Sequence, residues 1–394
     1  MRALDGVRVL ELGQLVAGPF AGAILAEHGA EVIKVEPPEG DALRTWRAAP
    51  GETSLWWRST GRNKRSVVVD LRRPEGRALA IQLAGKSDVL LENFRPGTLE
   101  GWGMAPQDLL REHPALVIAR VSGWGQTGPR AHEPGFASVA EAEAGLRHLM
   151  GFPGGPPVRA NLSLGDSVAA LNAVIGVLLA LRHRDATGQG QVVDVALTEA
   201  IFTVLDATLA EAAATGTSRG PSGTTITGVA PTNVYRTRDG RWIVVSGNGD
   251  HLFGRLAHAL GRPELAEDPR FRTNPDRVAH AELLDELIAG WVADCDLEAV
   301  KATLTAARVP VGEVRDAQSI LREPHFVARG VLTEAPSEAG PVPVPAIGPR
   351  LGATPGRTEW AGPALGAHTD EVLERLLGLD AEARARLRAA GVVA

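Results

Sequence analysis

The chain has a single cysteine, Cys295, and no strong excess of either charge. One thiol excludes an intramolecular disulfide, so a disulfide-stabilised scaffold is not expected. A net charge of −6 gives no electrostatic argument for nucleic acid as a partner. The longest apolar stretches, such as 168–181, are interrupted by small or polar residues and are shorter than a membrane span requires. No charged segment followed by an apolar run begins the sequence, so we expect a cytoplasmic protein that does not bind a membrane.

The composition is that of a globular protein with a large core, because 44% of its 394 residues are hydrophobic and 22% are charged. This length exceeds one ordinary compact domain, and we expect two. Short apolar runs alternate with helical patterns, which indicates an α/β protein with a parallel sheet covered by helices. The predicted strands are 7–12, 31–36, 66–71, 88–91 and 116–122, and the predicted helices are 18–28, 74–86, 167–183 and 197–215.

A Gly-, Ser- and Thr-rich segment at 219–228 predicts a linker before a second set of elements. The strands predicted at 233–236 and 242–246 flank Asp239-Gly240, which is a strong turn signal. Proline and glycine are frequent in 336–363, which predicts an extended connection to helices at 369–377 and 381–390. We therefore predict a large Rossmann-like domain over 1–218, a smaller α+β domain over 225–330, and a return segment with C-terminal helices over 331–394 that completes the large domain.

The first strand, loop and helix invite comparison with a dinucleotide-binding unit, whose glycines follow the spacing G-x-G-x-x-G. Gly13, Gly18 and Gly22 have the spacing G-x4-G-x3-G instead, so the tight pyrophosphate turn is not specified. A nicotinamide cofactor is therefore disfavoured. A nucleotide-shaped ligand near the strand ends remains consistent with this fold class.

Short motifs follow one another along nearly the whole chain, at Ala17–Pro19, Asn63–Ser66, Glu92–Gly97, Ser122–Pro129, Leu164–Asp166, Thr187–Asp194 and Gly366–Leu373. Each is weak alone, but the ordered set resembles class III CoA-transferases, the family of formyl-CoA transferase and crotonobetainyl-CoA transferase. The resemblance implies a Rossmann-like large domain and an interlocked homodimer in which each chain threads through its partner. It also implies acyl-CoA and carboxylic acid substrates, with coenzyme A as a substrate, no cofactor and no metal.

Asp166 is the candidate nucleophile. It follows Gly165, and the long helix predicted from Ser167 places it at or near an N-cap. A plain capping aspartate is the commoner use of such a residue, but the same geometry lets backbone N–H groups stabilise a carboxylate and a neighbouring oxyanion. The resemblance implies that Asp166 attacks the acyl-CoA carbonyl, forming an anhydride and then an aspartyl-CoA thioester.

The resemblance implies contacts to coenzyme A from the first loop and from the segments that follow two strands. Arg72 offers a charge for the phosphates, although alone it has the pattern of a surface charge. Phe94 and Arg95 follow a strand, where open α/β sheets bind ligands, but a buried Phe beside a solvated Arg is a close alternative. Lys64 and Arg65 are a second basic pair, either facing coenzyme A or solvated. The candidate residues are Val16, Ala17, Arg72, Asn93, Phe94 and Arg95.

Glu141 and Arg159 are candidate substrate residues. The stretch 135–145, together with Arg159, resembles members that use succinyl-CoA and dicarboxylic acids. Arg159 could pair an acceptor carboxylate with two hydrogen bonds, or be a solvated loop charge. Glu141 could orient the acceptor or the CoA thiol, or lie on a helix surface. Val16 stands where formyl-CoA transferase has glutamine, which disfavours oxalate as a substrate.

The alternative function is that of an isomerase like the α-methylacyl-CoA racemases, which share this fold and use histidine and aspartate on the α-carbon. Their histidine lies in a Gly-His-Asp run after the glycine-rich loop. Here the corresponding run is Gly135-Phe136-Ala137, and His132 lies outside it. The sequence therefore favours transfer over racemisation.

Overall fold

The computed structural model describes residues 1–49, 51–338, 340–346 and 348–394. The chain forms two compact units, the first from Met1–Leu146, Ala160–Asp206 and Val327–Ala394, and the second from Arg147–Arg159 and Ala207–Phe326. The large domain predicted over 1–218 differs from the first unit in two segments. Residues 147–159 and 207–218 belong to the second unit in the structure. Backbone hydrogen bonds hold the first of these segments to the second unit. For example, the N–H of Gly223 donates to the carbonyl of Gly151 at 2.9 Å.

A parallel sheet forms the centre of the first unit, from β1 (Arg8–Glu11), β2 (Glu31–Glu36), β3 (Lys64–Val68), β4 (Val89–Glu92), β5 (Val117–Ser122) and β6 (Val192–Ala196). The strand order is β3-β2-β1-β4-β5-β6, and every neighbouring pair is parallel. The direction of winding reverses between β1 and β4. In open α/β sheets, ligands bind beyond the carboxyl ends of the strands at such a reversal.

Helices cover the sheet and build much of the second unit. Small residues line α1 (Ala17–Glu27), where every position except Phe20 is buried, and this lets the helix lie close to the strands. A Cβ on Gly176 of α8 (Leu164–Thr187) would overlap Val193 of β6, so glycine permits close packing there. The helices are α1 (Ala17–Glu27), α2 (Leu55–Thr60), α3 (Pro74–Ala84), α4 (Thr98–Gly101), α5 (Pro106–Glu112), α6 (Ala137–Glu143), α7 (Leu146–Leu149), α8 (Leu164–Thr187), α9 (Leu197–Phe202), α10 (Thr208–Thr215), α11 (Asp250–Ala259), α12 (Asn274–Ala279), α13 (Ala281–Ala293), α14 (Leu297–Ala306), α15 (Ala317–Ile320), α16 (Pro324–Ala328), α17 (Thr369–Leu377) and α18 (Ala381–Ala389).

Helix α8 is longer than the sequence suggested. It has 24 residues and is long and apolar enough to cross a membrane by length and composition alone. The expectation that this run is too short for a span was therefore wrong, because the helix begins before the apolar core of the run and continues to Thr187. Half of its most apolar window is buried inside the chain, which is the burial of a helix packed on a sheet.

Two further elements differ from the sequence prediction. The helix predicted over 197–215 is two helices, α9 and α10, and Asp206 between them has a φ of 49° that interrupts a right-handed helix. Strand β6 was missed, because its first residues are exposed or half-buried and give no continuous apolar run.

The second unit contains an antiparallel sheet of β7 (Thr232–Arg236), β8 (Trp242–Ser246) and β9 (Val311–Glu313), in that order. Its first hairpin turns at the predicted Asp239-Gly240, where Gly240 has a φ of 78°. Buried apolar side chains from the sheet and from α11, α13 and α14 form its core, including Phe253, Leu256 and Ile288.

The return segment belongs to the first unit and contains the antiparallel pair β10 (Leu332–Ala335) and β11 (Val342–Pro345). Strand β11 lies within the predicted extended connection over 336–363, whose residues 339 and 347 lie outside the described residues. The C-terminal end joins the main sheet region, since Val393 forms a β-bridge with Val69.

Candidate active site

Hydrogen bonds across the reversal point join the loop after β1 to the segment after β4. The side-chain oxygen of Asn93 accepts from the backbone N–H of Gln14 at 2.8 Å, and its amide nitrogen donates to the Gln14 carbonyl at 2.8 Å. A Cβ on Gly13 would overlap the Asn93 oxygen, so the close approach requires glycine. The predicted residue Asn93 therefore shapes the first loop directly.

A cleft of about 420 Å³ opens at the carboxyl ends of β1 to β4. Phe94 and Trp102 form part of its wall and meet edge to face, with ring centroids 5.0 Å apart. Arg72 lies on its rim, so the structure brings two of the predicted CoA-binding residues together at one cleft. The lining residues are Leu12, Gln14, Val35, Glu36, Pro37, Glu39, Gly40, Asp41, Ala42, Thr45, Val69, Asp70, Leu71, Arg72, Phe94 and Trp102.

Arg72 is mostly exposed and already holds two carboxylates. Its Nε donates to Asp70 at 2.7 Å, and its terminal nitrogens donate to Glu39 at 3.1 and 3.2 Å. A phosphate at this position would share the guanidinium with these acids. Arg95 is also exposed but is not among the cleft-lining residues.

Val16 and Ala17 have buried side chains at the start of α1, with 7% and 3% of their surfaces exposed. A ligand beside this loop would therefore meet its backbone rather than these side chains. The loop's shape, set partly by a φ of 65° at Leu15, is the feature available for recognition.

Asp166 lies in the first turn of α8, whose N-cap is Ser163. Asp166 thus lies near the N-cap, as predicted, but the helix predicted from Ser167 begins three residues earlier, at Leu164. The Asp166 residue belongs to the first turn of a 24-residue helix, where the backbone N–H groups and dipoles favour negative charge.

Gly165 and Glu141 bring α6 against the start of α8. Glu141 is 3% exposed, and its Oε1 accepts from the N–H of Gly165 at 3.1 Å. A Cβ on Gly165 would lie 3.3 Å from both the Ala137 Cβ and the Glu141 Cγ. Glycine here allows close helix packing, and Glu141 does not lie on a solvated helix surface.

Arg159 and His132 both have exposed side chains. Arg159 is exposed and belongs to the second unit, so its predicted pairing with an acceptor remains a prediction. His132 is exposed and lines a different cleft in the first unit, of about 460 Å³, with Arg120, Gln126 and Asp194.

Sequence reasoning missed a set of buried charges beneath the first loop. Lys64 is fully buried and lies 2.7 Å from Glu11, so it is neither solvated nor facing the cleft. Its neighbour Arg65 instead pairs with Glu371 at 2.7 Å. A lysine at position 34, inside the otherwise apolar run of β2, was a signal that this strand carries a buried charge.

Glu92 is a second buried acid at the strand ends. Burial raises its pKa to about 7, although Arg120 donates to it at 2.8 Å. Its other oxygen accepts from the N–H of Phe94 at 2.7 Å, so its charge state is linked to the wall of the cleft.

Comparisons with known proteins identify the family. A sequence model described as CoA-transferase family III matches residues 4–369. The chain is 46% identical to succinyl-CoA--D-citramalate CoA-transferase of Chloroflexus aurantiacus, over all of this chain and 98% of that protein. It is 41% identical to the succinyl-CoA--L-malate CoA-transferase alpha subunit of Chloroflexus aurantiacus, over 99% of this chain and 92% of that one.

A solved structure shares the fold as well. A CAIB/BAIF family protein from Brucella suis superposes with a TM-score of 0.84 and 32% identity, over 95% of this chain and 99% of that chain. Sequence and structure thus agree over nearly the whole length. The chain belongs to CoA-transferase family III.

Proposed function

We propose that the protein transfers coenzyme A from succinyl-CoA to a dicarboxylic acid, with Asp166 as the nucleophile. The observation that carries the proposal is the position of Asp166 in the first turn of α8, in a chain of this family. The similar proteins named above are named for succinyl-CoA as donor and for D-citramalate or L-malate as acceptor. Both acceptors are hydroxylated dicarboxylic acids.

The reaction begins when the Asp166 carboxylate attacks the thioester carbonyl of succinyl-CoA. A C–O bond forms and the C–S bond breaks. The CoA thiolate departs, and Asp166 and the succinyl group are then joined as a mixed anhydride. The thiolate then attacks the aspartyl carbonyl, which releases succinate and forms an aspartyl-CoA thioester. The acceptor carboxylate displaces CoA to give a second anhydride, and the thiolate attacks its acceptor carbonyl, restoring Asp166.

The start of α8 supports each tetrahedral intermediate. Its N–H groups favour the negative charge that develops beside Asp166. Glu141 holds the turn through Gly165, and this bond limits the movement of the nucleophile. We propose that Arg159 binds the second carboxylate of the acceptor acid, because a guanidinium group can donate two parallel hydrogen bonds to a carboxylate.

Coenzyme A is a substrate in this proposal and occupies the cleft at the strand ends. The faces of Phe94 and Trp102 suit an adenine ring, and Arg72 suits a phosphate. The backbone of the loop at Val16 and Ala17, held by Asn93, borders the same region. Arg95 is assigned an outer phosphate contact because it is exposed near this edge.

We further propose that the protein acts as an interlocked homodimer. One face of α8 exposes four large apolar side chains at helical spacing, Leu171, Ile175, Leu178 and Leu179. An exposed apolar stripe of this kind is typical of a protein–protein interface. Light scattering at micromolar concentration should give twice the chain mass, and Ile175→Glu with Leu179→Glu should lower it. An active monomer, or assembly only with a different chain, would contradict the homodimer.

The substrate test is direct. The protein is incubated with succinyl-CoA and, separately, D-citramalate, L-malate, glutarate or oxalate, and new thioesters are detected by mass spectrometry. We expect transfer to the first two acids and little to oxalate. Asp166→Ala should lower transfer by at least about a thousandfold, while Asp185→Ala, an exposed acid near the other end of α8, should not.

The isomerase alternative makes a different prediction. An isomerase would exchange the α-proton of a 2-methylacyl-CoA with deuterated water when no acceptor acid is present. Rapid deuterium uptake that His132→Ala abolishes would replace transfer with racemisation as the function. We expect none at a rate comparable to transfer.

A further inference from the structure

Four charged side chains lie buried beneath the loop after β1. Glu11, Lys34 and Lys64 come from three neighbouring strands, and Asp41 follows β2; all four side chains are 0% exposed. The Nζ of Lys34 lies 3.2 Å from Glu11 and 2.9 Å from Asp41, and the Nζ of Lys64 lies 2.7 Å from Glu11. Two acids and two bases balance, so the cluster carries no net charge.

The cluster is joined to the loop and to the start of α1 through backbone groups. Lys34 donates to the carbonyl of Gly13, and Asp41 accepts from the N–H of Leu15 at 3.2 Å. Lys64 donates to the carbonyl of Pro19 at 2.6 Å. Leu15 has a left-handed φ of 65°, which a residue with a side chain adopts only where its surroundings hold it.

Burying these four charged side chains costs free energy. Ion pairs lose their hydration on burial, and well-packed apolar side chains of similar volume often stabilise a protein as well or better. The Glu11 carboxylate lies between two ammonium groups, 3.2 Å from that of Lys34 and 2.7 Å from that of Lys64. A role in stability alone therefore does not explain why acids and bases occupy these positions.

The electrostatics also favour a fixed arrangement. Burial opposes the charge of Asp41, yet Lys34 and the N–H groups of Leu43 and Leu15 hold its pKa below the usual range. A permanently charged carboxylate is a stronger acceptor for the Leu15 N–H than a neutral one. The loop is thus anchored by Asp41 and Lys34 below and by Asn93 beside it.

We propose that Lys34 and Asp41 are positioning residues for acyl-CoA binding, which act by fixing the backbone of the Gly13–Ala17 loop. This inference rests on the proposed function, in which that loop borders bound coenzyme A. The side chains of Val16 and Ala17 are buried, so the loop offers its backbone to the ligand, and the backbone's position is what the two charges determine.

The test separates positioning from stability by removing one charge of each sign. Lys34→Met/Asp41→Leu leaves the Glu11–Lys64 pair, which is balanced by itself. Either single variant leaves a net charge buried and should unfold at a lower temperature than the double variant. We expect the double variant to stay folded, with KM for succinyl-CoA raised about tenfold or more and kcat changed less than about threefold.

A matched control lies at the other end of α1. Glu27 and Arg62 form a comparably buried pair, with side chains 6% and 2% exposed and 3.6 Å apart. Arg62→Met/Glu27→Leu removes the same kinds of charge without touching the Gly13–Ala17 loop. Its KM for succinyl-CoA should equal that of the unaltered protein.

Hydrogen exchange of the ligand-free protein provides a readout that does not depend on catalysis. Amides of residues 13–18 should exchange about tenfold faster or more in the double variant, while those of β4 and β5 stay protected. If the unaltered protein transfers no CoA, the proposed function fails, and the exchange experiment still tests whether the two charges fix the loop.

Unchanged loop exchange in the double variant would overturn the inference, whatever happens to KM. Faster exchange with an unchanged KM in an active enzyme would overturn it too, because the loop's position would then not matter to binding. Should the double variant fail to fold, Lys34→Met/Asp41→Asn replaces it, since it removes both charges but keeps the volume at position 41 and an acceptor for Leu15. In this variant, both the exchange rate of the loop amides and the KM for succinyl-CoA should rise. A wild-type value for either one would contradict the positioning role.

Discussion

The two compact units bury different kinds of side chain. The first unit buries Glu11, Glu36 and Glu92 at the carboxyl ends of β1, β2 and β4, and it buries Lys34 within β2 and Lys64 at the start of β3. The core of the second unit is formed by aliphatic and aromatic side chains, and its buried charged side chains include Arg277 and Glu313, which is 3% exposed. Both units thus have apolar cores, and the first unit contains a cluster of buried charges in addition.

The difference supports the site proposed for coenzyme A in the first unit. The hydrophobic effect is non-directional, so apolar burial stabilises a fold without fixing the orientation of its groups. Buried ion pairs fix the positions of their partners, but they lose hydration energy. Three of the buried acids, Glu11, Glu36 and Glu92, end β1, β2 and β4, at the edge where open α/β sheets bind ligands. Arg277 has a local structural role instead, since it donates to the carbonyls of Ala230, Phe271 and Asn248.

The largest effect should come from unbalancing the charged cluster. Lys64→Met leaves two buried acids with one ammonium, and we expect a loss of about 4 kcal/mol in the free energy of unfolding. Denaturant unfolding of the first unit measures it. Lys86→Met, at an exposed position, is the control and should have no measurable effect. A loss under about 1 kcal/mol for Lys64→Met would show that the cluster is not held by charge.

The matching change in the second unit acts through a cavity. Leu256 is 0% exposed, and Leu256→Ala should lower the free energy of unfolding by about 3 kcal/mol. Because no charge is involved, this loss should be the same from pH 5 to 8. Leu283→Ala, on a partly exposed side of α13, should cost much less. A strong pH dependence for Leu256→Ala would remove the contrast between the units.

A smaller effect concerns pH. The pKa of Glu92 is raised to about 7 in the folded protein, so the folded state holds this proton more tightly than the unfolded state. The stability that Glu92 contributes is present at low pH and falls by about 2.5 kcal/mol between pH 5 and 8. Glu92→Gln should remove this part of the pH dependence, and Glu112→Gln, exposed at the end of α5, should not. An unchanged pH profile in Glu92→Gln would contradict the raised pKa.

The smallest effect is expected at the surface of the second unit. Arg238 and Asp296 pair at 2.7 Å, but their side chains are 62% and 50% exposed. Water and salt screen such a pair, so Arg238→Ala should leave the unfolding midpoint where it was. A clear shift would mean that charge matters to the second unit as it does to the first.

The alternation of strand and helix could be predicted because it depends on local patterns. The predicted strand 31–36 and helix 369–377 match β2 and α17 residue for residue. The start of α8 was misplaced because Gly165 is a poor helix former, and its conformation is set by packing against Ala137 and Glu141.

The charged cluster could not be predicted for a different reason. Its members lie at positions 11, 34, 41 and 64, and only the folded sheet brings them together. Lys34 alone gave a local signal, as a charge in an apolar strand. The sequence likewise indicated Phe94 but not Trp102, since their contact depends on how the segment after β4 turns.

The account depends most on covalent catalysis at Asp166. The direct measurement is to incubate the protein with succinyl-CoA, quench with hydroxylamine, and locate the modified residue by peptide mass spectrometry. An aspartyl-CoA thioester predicts a hydroxamate at Asp166, formed only when succinyl-CoA is present and absent in Asp166→Ala. A hydroxamate on another residue, or undiminished transfer by Asp166→Ala, would contradict the mechanism.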